Sequence, residues 1–349
     1  MSKQRFRVGY VEPAMYPSFE QTANADPAIE LVRIAVDASV DEALRLLADC
    51  QGFCVKASRD ELPKGLHVTA ALLEKLPKLA LAVSYGAGYD TIDVAACSAA
   101  GVGVVNQSGG NARAVAEHVV GMMLVLLKRI PEAHVATRAG TVVKREDLMG
   151  RELANRTIGV VGIGNAGGQA ALLLKAVGCQ VLAYDPYVDA ATCAARGATK
   201  VELPQLLAQS DAVTLHCPLN AQTRGMFNAE RFAAMRPGAI FVSAARGSIH
   251  DEGALHQALL SGHIAGAGLD VWEQEPPPAD HPLLRHPAVI CSPHTAGVTH
   301  ESRDRVARMA AQAFIAVAQG EDPPRCLNPQ VIPAMRKRLE EMGLGRAEA

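Results

Sequence analysis

The eight cysteines, at positions 50, 54, 97, 179, 193, 217, 291 and 326, include no CxxC pair and no ladder with histidine at zinc-ligand spacing, so no metal site is expected. They read as reduced thiols packed like small apolar side chains, as in the cytoplasm. An excess of charge is missing too. The 34 basic and 36 acidic residues leave a formal net charge of -2, with no basic field to attract nucleic acid or an anionic membrane. The longest lipid-like run, Val119 to Leu127, is far shorter than the roughly 18 residues of a membrane span and reads as a buried helix. The start, MSKQRFRVGYVEP, passes from charge into a strand-like run without the apolar stretch of a signal peptide. No repeat of solenoid period and no low-complexity tract is visible. What remains is small-molecule chemistry in a cytoplasmic protein.

What is present is an ordinary globular balance, 49% hydrophobic and 20% charged, in a chain of 349 residues. That length exceeds the roughly 250 to 300 residues at which single cores stop growing, so two domains are expected. Short runs of Val, Ile and Leu alternate with Ala- and Leu-rich segments of helical length, the pattern of parallel sheets covered by helices. Strands are predicted at Phe6 to Val11, Glu30 to Ile34, Phe53 to Val55, Leu79 to Val83 and Val102 to Asn106. A second series is predicted at Thr157 to Val161, Gln180 to Tyr184, Ala212 to His216, Ala239 to Ser243, Gly266 to Leu269 and Val289 to Cys291. The fold class expected is α/β, with two doubly wound, Rossmann-like parallel-sheet domains. Long helices are predicted over Asn111 to Ile130, ending before Pro131, and over Thr299 to Ala318. If the later helix packs back on the first unit, that unit is discontinuous: residues 1–106 with 298–330, a second domain over 107–297, and a tail over 331–349.

Thr157 to Val161 runs into Gly162-Ile-Gly164-Asn165-Ala166-Gly167 and then a helical stretch to Val177. A strand, a GxGxxG turn and a helix place backbone N–H groups and the positive end of a helix dipole against a pyrophosphate. Asp185 ends the next strand 23 residues after Gly162, near the ~20 expected for an acid that binds the adenosine ribose hydroxyls. Pro186 and Tyr187 follow, with no arginine to neutralise a 2′-phosphate, which favours NAD over NADP.

Further motifs follow in order: His216-Cys-Pro-Leu219, Ala245-Arg-Gly247, Gly268-Leu-Asp-Val271, Glu273-Gln-Glu-Pro276 and Ser292-Pro-His-Thr-Ala-Gly297. With Tyr85-Gly-Ala-Gly-Tyr-Asp90 and Asn111-Ala-Arg-Ala-Val-Ala-Glu-His118, residues 50 to 330 closely resemble the D-isomer-specific 2-hydroxyacid dehydrogenases. That family includes phosphoglycerate dehydrogenase, hydroxypyruvate and glyoxylate reductases, D-lactate dehydrogenase and formate dehydrogenase. The resemblance implies an NAD-dependent oxidoreductase that interconverts a small 2-oxo acid and its D-2-hydroxy acid in a cleft between a substrate domain and the NAD-binding domain. The Gln107 to Gly110 segment is the candidate hinge, and a homodimer is implied, built around the helix Asn111 to Ile130.

Residue by residue, the resemblance makes Arg246 the substrate arginine, His294 the acid/base and Glu275 its partner. The chemistry agrees, because a guanidinium fork suits a carboxylate and a nearby negative charge favours imidazolium. Asp270 matches a contact on the nicotinamide side. Tyr85, Ala87 and Gly88 match the carboxylate-binding loop, where the backbone N–H groups of Ala87 and Gly88 form an anion nest. Asn111 matches a polar residue near the substrate, and His118 is assigned to helix packing. Pro218, Thr223, Ala244, Ala245, His294 and Gly297 complete the expected surroundings of the cofactor. Two departures stand out: Ser243 and Ala244 precede Arg246, and Lys56-Ala57-Ser58 stand where phosphoglycerate dehydrogenases commonly carry arginines, which speaks against a phosphorylated substrate. With the sequence running only a little past Asn328 and Pro329, no C-terminal regulatory domain is expected. Two alternatives remain: an NAD(H)-sensing scaffold similar to the C-terminal binding protein corepressors, and a formate- or phosphite-type dehydrogenase. Formate-type sites pair a glutamine with the histidine, where this chain has Glu275.

Overall fold

The computed structural model describes residues 4–14 and 16–344, the side chain of Asp60 apart. The first three residues of the charged start and the last five of the expected tail lie outside the described residues. The chain forms two compact units, one from the segments up to Asn111 and from Thr299 onward, the other from Ala112–Val298.

The first unit is built on five parallel strands, β1 (Phe6–Val11), β2 (Ile29–Ile34), β3 (Gly52–Val55), β4 (Leu81–Ser84) and β5 (Gly103–Val105), in the order β2-β1-β3-β4-β5. Buried side chains form a core on each face: Phe6, Val8 and Tyr10 pack with Phe19, Tyr85 and Phe314 on one, while Val11, Phe53 and Val55 pack with Leu47, Leu66 and Leu72 on the other. Such strands read as near-continuous apolar runs because both faces are covered. The helix His300–Ala318 starts at Thr299, whose side chain accepts from the Ser302 N–H, and buries Val306, Ala310, Phe314 and Val317. The strand order reverses between β1 and β3. There Lys56, just past β3, donates to the Pro13 carbonyl at 3.0 Å.

Residues 332–341, placed in the expected tail, form the helix Ile332–Glu341, because Met335 and Leu339 are apolar at helical spacing and sink into the first core; the helix end expected in the final charged segment is the last part of it. In the candidate hinge segment, Gln107 is fully buried, its side chain donates to the Ser84 carbonyl at 2.9 Å, and Arg325 donates to its Oε1 at 3.0 Å.

The second unit has seven parallel strands: β6 (Thr157–Val161), β7 (Gln180–Tyr184), β8 (Thr199–Lys200), β9 (Ala212–Leu215), β10 (Ala239–Ser243), β11 (Ile264–Leu269) and β12 (Val289–Cys291). Their order is β12-β11-β10-β9-β6-β7-β8, the doubly wound arrangement with one added edge strand. Period-two alternation divides β10 between the two cores, Ala239 and Phe241 on one face, Ile240 and Val242 on the other. Each large side chain buried in this way contributes about 2 to 3 kcal/mol. The two-residue β8 carries no apolar signal and was not expected from the sequence. The predicted helix over 111–130 divides in two: Ala112–Leu127, then Ile130–Arg138, with Arg129 between them at φ 52°. Pro131 stands in the first turn of the second helix, where its missing N–H costs nothing, so it starts a helix instead of closing one.

Candidate active site

Reversal of strand order at β6 leaves a crevice outside the carboxyl ends of β6 and β9, the place where open parallel sheets bind ligands. Gly162 leaves β6 at φ 87°, and a Cβ there would stand 2.7 Å from the Cys217 backbone nitrogen. A Cβ at Gly167 would overlap the Gly162 carbonyl oxygen, so the helix Asn165–Ala176 can begin this close to the strand only with glycine there. At Gly164, by contrast, a Cβ would meet nothing within 4 Å. The helix N-terminus therefore faces open space bordered by backbone, and a pyrophosphate fits it.

Asp185, one residue past β7, is 9% exposed and accepts from Ile163 N and Tyr187 N, each at 3.0 Å. Each carboxylate oxygen takes one backbone donor and keeps acceptor capacity for ribose hydroxyls. Arg196 donates to the Ile163 carbonyl and, at 3.5 Å, to that of Gly164, bracing the turn from its acceptor side. No sequence motif marked Arg196. In the loop after β9, Thr223 Oγ1 donates to the Pro218 carbonyl at 2.6 Å and accepts from Asn220 N at 2.9 Å. Its one hydrogen is committed to shaping the loop.

The carboxyl ends of β10, β11 and β12 lead to Arg246, Asp270 and His294 respectively. His294 has φ 56°, a left-handed conformation held by its own N–H donating to the Asp270 carbonyl at 2.7 Å. The Asp270 side chain, 1% exposed, accepts from Thr295 N at 2.7 Å and Ala296 N at 2.9 Å. Asp270 thus fixes the histidine loop from both its backbone and its carboxylate.

Glu275 Oε2 lies 2.8 Å from His294 Nδ1, and Glu275 Oε1 accepts from Trp272 N at 3.1 Å. Because a carboxylate only accepts, Nδ1 carries the proton in this bond and Nε2 is left as the exchanging atom. The hydrogen bond to Glu275 raises the His294 pKa above the ordinary imidazole value, against the opposing effects of burial and of the Arg246 charge. For Glu275 burial pushes upward, but the bond to His294 and the charges of His294 and Arg246 prevail and hold its carboxyl below the usual range. Arg246 donates to the Ala245 carbonyl at 2.7 Å. The loop carrying Glu275 rests on a second pair that sequence reasoning missed. Glu252 accepts from Glu273 N at 2.7 Å through one oxygen and lies 3.0 Å from His281 Nε2 through the other. His281 Nδ1 accepts from Leu283 N at 3.3 Å, so Nε2 is the donor.

In the first unit, Tyr85 corrects an expectation. Its ring is fully buried, 5.0 Å from that of Phe19, so only its backbone faces the loop that follows β4. Ser84 Oγ and Asn106 Nδ2 donate to the carbonyls of Gly88 and Ala87, at 2.6 and 2.7 Å. Asn111 is the last residue of the first unit's leading segment. The cysteines are all free, but only five are buried; Cys217 and Cys326 are half-buried and Cys291 is exposed. Among the described residues no helix is long and apolar enough to cross a membrane, and no cluster of ligands fit for a metal ion occurs.

Residues 120–296 match the family described as D-isomer specific 2-hydroxyacid dehydrogenase, NAD binding domain. The chain is 38% identical over 253 residues to D-3-phosphoglycerate dehydrogenase of Archaeoglobus fulgidus, an alignment covering 72% of this chain and 48% of that protein. It is 37% identical over 268 residues to glyoxylate reductase of Korarchaeum cryptofilum, covering 76% of this chain and 81% of that one. The chain spans about half the length of the phosphoglycerate dehydrogenases it matches. Among solved structures, D-lactate dehydrogenase from Aquifex aeolicus, complexed with NAD and lactic acid, superposes with a TM-score of 0.77 at 27% identity, covering 94% of this chain and 98% of that one. With the family's NAD-binding domain matched across its second unit, this chain belongs to the D-isomer specific 2-hydroxyacid dehydrogenases.

Proposed function

We propose that this protein interconverts a small 2-oxo acid and its D-2-hydroxy acid using NAD. The observation that carries the reading is the His294–Glu275 pair: a 2.8 Å bond at Nδ1 fixes the tautomer and leaves Nε2 to hold the proton that moves. In reduction, protonated His294 delivers that proton to the oxygen of the 2-oxo group; in oxidation, neutral His294 removes it from the hydroxyl. Arg246 binds the carboxylate and offsets the charge that develops on the reacting oxygen. Asp270 steadies the histidine loop on the nicotinamide side of the site. The turn Gly162, Gly164, Asn165, Ala166 and Gly167, with Asp185, Pro218, Thr223, Ala244, Ala245 and Gly297, would hold the dinucleotide, whose reduced form would supply the hydride in reduction and whose oxidised form would accept it in oxidation.

In the first unit, the backbone of Ala87 and Gly88 is assigned to a carboxylate and Asn111 to substrate contact. Lys56 stands at that unit's own reversal of strand order, where burial lowers its pKa, and it is assigned to reading the substrate's side chain. The unit that carries Ala87 and Gly88 is assigned as the substrate domain, and the unit that carries the Gly162 turn as the NAD-binding domain. A homodimer fits the helix Ile130–Arg138, which buries none of its residues, and the exposed Val142, Val143 and Met149 beyond it. A cytoplasmic location fits the free thiols.

The test is a panel of 2-oxo acids, with glyoxylate, hydroxypyruvate, 3-phosphohydroxypyruvate and larger members, assayed by absorbance with NADH and NADPH in parallel. NADH consumption with at least one acid, abolished in His294→Ala with NADH binding kept, is the expected result. No consumption with any acid would favour an NAD(H)-sensing scaffold, and a preference for NADPH would overturn the role given to Asp185.

A further inference from the structure

The helix Ala112–Leu127 and strand β11 are in register along their length. Leu126 lies over Gly266, where a Cβ would stand 3.3 Å from its Cδ2, and Met122 lies over Gly268, where a Cβ would stand 2.9 Å from its Sδ. His118 is the next residue back at the same four-residue spacing, and Asp270 is the next forward at the strand's two-residue spacing. The two glycines let the helix come this close, and the approach brings His118 to the end of β11. There its Nε2 lies 3.0 Å from Ser292 Oγ and 3.8 Å from Asp270 Oδ1.

The direction of these bonds follows from what each group can do. Ser292 Oγ is 2.6 Å from Asp270 Oδ1, and a carboxylate only accepts, so the one serine hydrogen points to Asp270. The serine oxygen must then accept from His118, which therefore carries its proton on Nε2. The result is an ordered chain, His118 Nε2–H to Ser292 Oγ–H to Asp270, and Asp270 in turn receives Thr295 N and Ala296 N. Ser292 is fixed at its backbone as well, donating from its N–H to the Leu269 carbonyl at 2.9 Å and accepting at its own carbonyl from Trp272 Nε1 at 3.2 Å.

We propose that His118, assigned by sequence to helix packing, is a positioning residue for the reaction: through Ser292 it sets the Asp270 carboxylate, which holds the loop that presents His294. The proposal rests on the dehydrogenase reading for its kinetic consequences, but the chain of bonds can be tested without turnover. The charged groups that face His294 are Glu275, Arg246 and Asp270, and the bond to Glu275 dominates its titration. A loop no longer held at Thr295 and Ala296 lets His294 drift from Glu275, and its titration then moves down toward that of a free imidazole.

The experiment compares wild type with His118→Leu, His118→Gln, Ser292→Ala and the His118→Leu/Ser292→Ala double variant. Glutamine carries a donor at the same reach as Nε2; leucine carries none. Histidine ring resonances are followed by NMR across pH, and kcat and KM are measured with the best 2-oxo acid and NADH. For His118→Leu the expected result is a lower His294 titration midpoint and a kcat reduced about tenfold with KM little changed, as expected of a misaligned acid. His118→Gln should restore both, and the double variant should be no worse than Ser292→Ala, because members of one chain do not add. An unchanged midpoint and kcat in His118→Leu would overturn the proposal, as would a glutamine variant as impaired as the leucine one. Should wild type reduce no 2-oxo acid, the functional reading fails, and the imidazole titration alone decides whether His118 governs the loop.

Discussion

At the residue scale the proposed reaction turns on which proton His294 holds and at what pH. Its raised pKa means that imidazolium, the form needed for reduction, persists to higher pH than in a free imidazole. Reduction is therefore expected to be flat at low pH and to fall as pH rises through that raised value, while oxidation rises over the same range. Glu275→Gln keeps an acceptor for Nδ1 but removes the charge, leaving burial and Arg246 to pull the value down. The falling limb of kcat for reduction should move to lower pH, with a loss of about tenfold at pH 7.5, less than the roughly hundredfold or more of losing a general acid outright. A pH profile that keeps the wild-type limb would refute the pairing. Arg246, Glu275 and His294, to which the proposed reaction assigns its roles, stand in motifs that the sequence displays just past strands. The contacts that hold them are not legible there: nothing in the sequence pairs Ser292 with Asp270 or Glu252 with Glu273.

At the scale of elements, the strands were legible because parallel sheets buried on both faces need unbroken apolar runs, and β1, β6, β7, β10 and β12 have the predicted ends. The two-residue β8 was not, since Thr199 and Lys200 pair only with the neighbouring Leu182 and Ala183. The packing of loop on loop was also hidden. Gly247, next to Arg246, lies against the backbone of Trp272 and Glu273, and a Cβ there would overlap the Trp272 carbonyl group. That contact sets how near the loop carrying Glu275 comes to the arginine. Gly247→Ala is therefore expected to push the two loops apart and cost about 1 to 3 kcal/mol, the usual scale of overpacking. Thermal unfolding should detect the loss, and kcat should fall more than stability does at assay temperature, since Glu275 is displaced from His294. A variant with wild-type melting and turnover would mean that the loops move freely against each other.

For the molecule as a whole, the acid limit of stability depends on a residue that no site uses. His250 is fully buried in the second unit with its ring 5.4 Å from that of Phe241, and among the described residues neither ring nitrogen has a partner. Burial pushes its pKa down to about 4, from an ordinary 6.5. Above pH 6.5 the histidine is neutral in folded and unfolded chains alike, and its titration has no effect on stability. Below that, the unfolded chain takes up a proton that the folded chain refuses until about pH 4, so stability is lost across this window, by about 3 kcal/mol in all. Nothing in the run Ile249-His250-Asp251 marks this histidine as one that folding buries. His250→Leu fills similar space without nitrogens to desolvate, which should add about 1 to 3 kcal/mol even at pH 8. Urea unfolding of the full chain at pH 8 and pH 5, followed by circular dichroism, should show the variant's advantage growing as pH falls, because only wild type carries the linked proton. An advantage equal at both pH values would mean that His250 is reached by water and titrates normally in the folded state.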